Sequence, residues 1–203
     1  MDMPNLDKNI TCCFAGYRPH KFTYPIGKKD AFFEELKKDI EDAIYKSYLE
    51  EYRNFLCGGA MGFDLMCAEC VIELKKEYAD IKLGCILPFE KHNKKFPYKW
   101  RKIYNNVLKD CDFINYITEK YTESCYFERS QKMINSSKRL ITYFTGKRGG
   151  TAKVVSYAQI NKLEIINLSK ENSIFEDITF FTGKPKADKP LTLWEENNSN
   201  IDN

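Results

Sequence analysis

The 203-residue sequence predicts an α/β fold in three layers: a mostly parallel sheet of about six strands, flanked by helices. Short apolar runs alternate with longer stretches of helical period along most of the chain. Two strand-to-helix junctions are rich in glycine.

The first strand is Asn9 to Ala15, an apolar run closed by Gly16. The polar loop Tyr17-Arg18-Pro19-His20-Lys21 leaves its C-terminal end. Asp30 to Glu51 carries Phe33, Leu36, Ile40, Ala43, Ile44 and Ser47 on one face and reads as a helix. The apolar run Phe55-Leu56-Cys57 supplies the second strand and ends in Gly58-Gly59-Ala60-Met61-Gly62. A helix then runs to about Tyr78, with Met66, Cys67, Cys70, Val71, Leu74 and Tyr78 on its apolar face. Ile81 to Leu87 is the third strand, stopped by Pro88; Tyr104, Val107 and Leu108 mark the next helix. Asp112 to Ile117 is the fourth strand and Tyr126 to Asn135 is helical. Lys138 to Phe144 is the fifth strand, and the helix after Thr151 turns Val154, Val155 and Ala158 inward. Leu163 to Leu168 is the last strand. One domain is therefore expected over residues 1–169, with 170–203 a partly disordered extension in which Ile178 to Phe181 could add an edge strand.

Thirty-two basic against 29 acidic residues leave a net charge of +3, too slight a bias to argue for nucleic acid. No apolar run approaches membrane-spanning length, and Met1 to Asn9 lacks the apolar core of a signal peptide. A cytoplasmic protein without a membrane partner is expected, with a homo-oligomer possible. Eight cysteines invite a metal reading, but only two histidines accompany them. Cys67-Ala68-Glu69-Cys70 falls inside a helix, with no second pair at zinc spacing. The cysteines are read as small core residues, and no metal is expected.

The chemistry is expected at the strand-to-helix junctions. Glycine lets backbone N–H groups approach a ligand closely, and a helix N-terminus adds unpaired donors and positive partial charge. Gly58, Gly59 and Gly62 form one such bend; Gly149, Gly150 and Thr151 form another, with the Thr151 hydroxyl free to cap or to meet phosphate. In open α/β sheets these loops converge on one crevice, so Gly16 and Arg18 join the set. Arg18 suits phosphate through its planar fork of donors. Asp64, in a helix's first turn, is favoured by the dipole and would repel phosphate; a cap or a ribose-hydroxyl acceptor fits it better. Residues 89–100 interleave aromatic and basic side chains, as a base-stacking surface does and as a solvated loop can. His92 reads as a solvated residue of that loop.

Gly58-Gly59-Ala60-Met61-Gly62-Phe63-Asp64 with Ala68-Glu69 resembles the signature of the SLOG superfamily, which takes in the DNA-processing protein DprA and the LOG cytokinin-activating hydrolases. Within it the chain is most similar to the YpsA-like family, over roughly Ile10 to Leu168. The resemblance implies a Rossmann-like fold and nucleotide binding; members are mostly uncharacterised. Gly16 to Pro19 resembles the family's Gly-His-Arg-Pro motif with Tyr17 in place of His. Arg129 matches an Arg-Asn-x-x-Met-Val segment, where Ser130 replaces the Asn. Relatives usually carry a tryptophan near Phe96, which makes Phe96 the base-stacking candidate.

Three functions follow as expectations. The leading one is binding, for sensing or sequestration, of a nucleotide-derived ligand such as NAD or ADP-ribose. The second is a LOG-type nucleotide N-glycosidase or phosphoribohydrolase, which needs a carboxylate beside the forming oxocarbenium ion. LOG proteins carry that acid in a Pro-Gly-Gly-x-Gly-Thr-x-x-Glu motif, but here Ala152, Lys153 and Val154 follow Thr151. Glu69 and Glu128 are the substitutes that can be named, Glu69 with a solvated-helix reading beside it. The third is DprA-like binding of single-stranded DNA, disfavoured by the near-neutral charge.

Overall fold

The computed structural model describes residues 4–170. The expected extension beyond Ser169, with its possible edge strand at Ile178 to Phe181, lies outside the described residues, Lys170 apart. Six strands form one all-parallel sheet: β1 (Thr11–Ala15), β2 (Asn54–Cys57), β3 (Lys82–Phe89), β4 (Phe113–Thr118), β5 (Arg139–Thr142) and β6 (Glu164–Asn167). Five helices connect them: α1 (Lys29–Leu49), α2 (Phe63–Lys75), α3 (Tyr98–Asp110), α4 (Cys125–Asn135) and α5 (Gly150–Ile160). The architecture is the α/β Rossmann-like one.

The sheet order is β4-β3-β2-β1-β5-β6. The chain steps outward from β1 to β4, then returns to the far side of β1 to lay down β5 and β6. Because such crossovers are right-handed, reversing direction moves the connecting helices to the other face. The packing agrees: α1 lies on α2 and α2 on α3, while α4 lies on α5. Strands covered on both faces need apolar side chains on both, which is why β1, β2 and β5 read as unbroken runs rather than alternating ones. Phe14, Phe55, Leu56, Leu83, Ile86, Leu140 and Ile141 are fully buried there. Each such side chain contributes about 1.5–3 kcal/mol through removal from water.

The sequence predicts that Pro88 stops the third strand, but β3 runs through it to Phe89. The β2 partnership ends at Cys57↔Cys85, so Pro88 needs no N–H on that side. On the other side the ladder continues through Leu87↔Tyr116 and Phe89↔Thr118, and the Pro88 carbonyl accepts from Thr118 Oγ1 at 3.0 Å. At the opposite, N-terminal edge of the sheet, the buried Arg139 guanidinium meets Glu50, Glu164 at 2.7 Å and Ser47 Oγ at 2.9 Å, with the Tyr52 ring 4.2 Å beneath it.

Candidate functional site

The loops that follow β1, β2 and β5 meet above the point where the chain reverses. The β2–α2 bend is built from within. Gly62, at φ +92°, takes a turn that a side chain would resist, and its Cβ would stand 2.5 Å from the Tyr17 carbonyl. That carbonyl accepts from the Phe63 N–H at 3.1 Å, the first amide of α2. The Gly59 N–H is turned to Cys57 Sγ at 3.3 Å.

Asp64 is buried beneath this bend and receives the backbone amides of Ala60 and Gly16 together with the Arg129 guanidinium. Burial raises its carboxyl above the ordinary range, and Arg129 is the strongest influence opposing that rise. Arg129 reaches across from α4, donating from Nη1 to the Gly58 carbonyl at 2.6 Å and lying 3.4 Å from Asp64 Oδ2. Gly58 has no room for a side chain, since its Cβ would sit 1.6 Å from that Nη1.

The expectation that two glycine bends offer bare amides to one anion is therefore corrected at the first. The Asp64 carboxylate takes the place an external anion would fill, and the Gly59, Ala60 and Phe63 amides are engaged. Asp64 is an internal partner of Arg129 rather than an exposed acceptor for a ribose hydroxyl. Gly16 belongs to the same lock, with its amide toward Asp64 and the Phe63 ring against its Cα.

The β5–α5 bend is open. Gly149 caps α5 at φ +143° with no side-chain hydrogen bond to the helix, and Gly146, Lys147, Arg148 and Gly149 are exposed. The Lys21 ammonium lies 3.0 Å from where a Cβ at Gly149 would stand. Thr151 Oγ1 donates to the Gly16 carbonyl at 3.2 Å, fastening the α5 N-terminus to the end of β1. Arg18, in the next turn of the β1 loop, is exposed. Gly16, Gly149, Gly150 and Thr151 thus share one rim with Lys21, and Arg18 leaves the same loop beside Gly62, its Cα 3.2 Å from where a Cβ there would stand.

Two aromatic-loop readings also change. His92 is buried rather than solvated: Nε2 lies 3.3 Å from the Gly59 carbonyl and Nδ1 3.5 Å from the Tyr104 hydroxyl. A carbonyl only accepts, so Nε2 carries the proton in that contact, and burial lowers the imidazole pKa to about 4. Phe96 is buried as well, edge-on to His92 at 5.7 Å and to Tyr104 at 5.9 Å, and offers no open face to a base. Glu69 lies half-buried on α2, where burial raises its carboxyl and Lys37 and Lys99 oppose the rise; its charged neighbours come from α1, α2 and α3. Glu128 is exposed on α4.

Tyr17 is the residue whose part sequence reasoning missed. It is buried; its hydroxyl meets Thr145 Oγ1 at 2.9 Å and accepts the Thr145 N–H at 3.1 Å, so it ties the β1 loop to the β5 loop. Its departure from the family's His was the available signal. Among the described residues, no cluster of His, Cys, Asp and Glu could hold a metal ion, and no helix is long and apolar enough to cross a membrane.

Sheet order and crevice together define a Rossmann-like α/β protein with its loops gathered over the reversal point. The chain belongs to the YspA SLOG family, whose model, YpsA, matches residues 12–173. A UPF0398 protein of Staphylococcus epidermidis is 30% identical over 173 residues, covering 79% of this chain and 92% of the relative. One from Brevibacillus brevis is 24% identical over 152 residues, covering 74% and 80%. Among solved structures, the DprA of Helicobacter pylori, described with a single-stranded DNA binding mode, aligns at TM-score 0.53 and 15% identity over 81% of this chain and 67% of that one. The DprA of Streptococcus pneumoniae aligns at TM-score 0.50 and 12% identity over 77% of this chain, which spans about half (49%) of that protein. These two likenesses show the fold.

Proposed function

We propose that the protein binds a phosphate-bearing, nucleotide-derived small molecule of the NAD or ADP-ribose kind, as a sensor or a sequestering protein. The observation that carries this reading is the exposed α5 N-terminus, which has glycine and no side-chain acceptor at its cap, set beside Lys21 and fastened to Gly16 by Thr151. Helix-terminal amides and an adjacent ammonium suit a phosphate, and the Arg18 fork supplies paired donors. Asp64 does not spoil the site, because Arg129 and two backbone amides answer its charge.

Isothermal titration with ADP-ribose, NAD, AMP and ribose 5-phosphate tests it. Sub-millimolar binding is expected, weakened about tenfold by Arg18→Ala, in keeping with a charge-assisted hydrogen bond of roughly 1.5–3 kcal/mol. No heat from any of the four would refute it. The hydrolase alternative needs a carboxylate at the rim, and the charged neighbours of Glu69 are on the helices instead. Release of free adenine from AMP or NAD, lost on Glu69→Gln, would restore it.

A second reading, binding of single-stranded DNA, draws on the exposed Arg18, His20, Lys21, Lys147 and Arg148 around the same rim and on the fold shared with DprA. A track contacting six phosphates of a single strand would lose roughly 300-fold in affinity between 50 and 200 mM salt. A gel shift with that salt response, at protein concentrations where nucleotides do not bind, would favour DNA.

A further inference from the structure

With Phe96 packed inside, the open aromatic surface lies further along the strand ends. A cleft of about 740 Å³ sits over β3 and β4; its aromatic lining is Phe89, Tyr116 and Tyr121, and Lys91 and Lys120 are balanced there by Glu90 and Glu119. Tyr121 is 58% exposed and Tyr116 40% exposed, large rings left to solvent in a concave place. The Phe89 ring lies edge-on to Tyr121 at 5.7 Å and to Tyr126 at 6.1 Å. Exposed aromatic faces are what a stacking nucleobase requires, and carboxylates beside lysines can accept from a base's exocyclic N–H groups.

Tyr126 links this cleft to the phosphate rim. Burial raises its hydroxyl, Arg18 and Arg129 oppose that rise, and Tyr121 lies close enough to add to it. The ring therefore packs edge-on against Phe89 of the cleft at 6.1 Å and lies within reach of the Arg18 charge. From β1 to the cleft between β3 and β4 is two to three strand spacings, roughly 10–14 Å, and from β5, which α5 follows, about one spacing more. A pyrophosphate-linked nucleotide can bridge such a gap, whereas a bare sugar phosphate cannot.

We infer that the Phe89–Tyr116–Tyr121 cleft is the base subsite, and that the ligand class is a nucleotide extended by a pyrophosphate, its flat ring on Tyr121 and its distal phosphate near Arg18 and α5. This rests on the phosphate reading proposed above. The base stacks on the exposed tyrosine faces, with Lys91, Lys120, Glu90 and Glu119 as the charged groups of the same lining.

The test compares ADP-ribose with ribose 5-phosphate by titration calorimetry on the full chain. Tyr121→Ala is expected to weaken ADP-ribose at least tenfold and to leave ribose 5-phosphate unchanged, while Tyr121→Phe keeps wild-type affinity for both. Because Tyr121 is exposed, neither change touches the core. Equal affinity of ADP-ribose for wild type and Tyr121→Ala, or equal losses for both probes, would overturn the base subsite and leave the phosphate rim standing. Failure of both probes to bind wild type would bring down the rim and the subsite together. A single-stranded oligonucleotide that loses more affinity on Tyr121→Ala than ADP-ribose does would also overturn the inference, assigning the cleft to nucleic acid.

Discussion

Removing the Arg129 guanidinium should unfasten the crevice. In Arg129→Met the stem is kept and the charge lost, so Asp64, with a side chain 5% exposed, remains buried without its counter-ion. The Gly58 carbonyl loses its 2.6 Å donor at the same time. Breaking a buried pair from one side costs about 3–5 kcal/mol, because the remaining charge is uncompensated. For a chain of this size each kcal/mol moves Tm by roughly 2–4 °C, so a fall of about 6–20 °C is expected. The pH dependence gives a second handle. Without Arg129 the folded Asp64 pKa rises further above its unfolded value, so protons bind the folded state more tightly. The stability deficit should then be largest at neutral pH and shrink as the solution is acidified. Urea unfolding followed by circular dichroism at pH 5 and pH 7 measures both effects. Adding Asp64→Asn to Arg129→Met should recover a large part of the loss. A deficit below about 1 kcal/mol, or a double variant as poor as the sum of the singles, would refute the lock.

Other outcomes follow from the same geometry. The His92 pKa is lowered from 6.5 to about 4, so the unfolded chain binds its proton first; stability present above pH 6.5 should fall by about 3 kcal/mol as pH drops to 4, and His92→Gln should flatten that slope in denaturant titrations. Gly58→Ala should destabilise by about 2–4 kcal/mol by expelling the Arg129 guanidinium, and its effect in urea melts should not add to that of Arg129→Met. Arg139→Met, which breaks the ion pairs at the other end of the sheet, should lower stability by about 1–3 kcal/mol while leaving ADP-ribose affinity unchanged in calorimetry.

The layered fold was legible because buried parallel strands and one-sided helices leave opposite signatures in sequence. All six strands fall where apolar runs and glycine stops place them, with ends moved by a residue or two. Pro88 misled because a proline's effect depends on whether a neighbouring strand still needs its N–H, and strand order is a tertiary fact. His92 and Phe96 sit in a stretch crowded with lysines; composition signalled solvent there, while Tyr104 and the Gly59 carbonyl supplied a buried niche that local pattern does not reveal. The glycine signature was visible, but its meaning divided. At Gly58 and Gly62 the missing side chain makes room for Arg129 and for the Tyr17 carbonyl, whereas at Gly149 it leaves an open helix start. Only the partner brought in from α4 distinguishes these cases, and Arg129 lies 71 residues from Gly58 in sequence.

Backbone amide mapping by NMR, with ADP-ribose titrated into the ¹⁵N-labelled chain, tests the division between the two bends most directly. Saturable shifts are expected at Arg18, Gly149, Gly150, Thr151 and Ala152, with little change at Gly59, Ala60 and Phe63, whose amides are already engaged. Shifts centred on Gly59 to Phe63, with the α5 N-terminus unmoved, would contradict it.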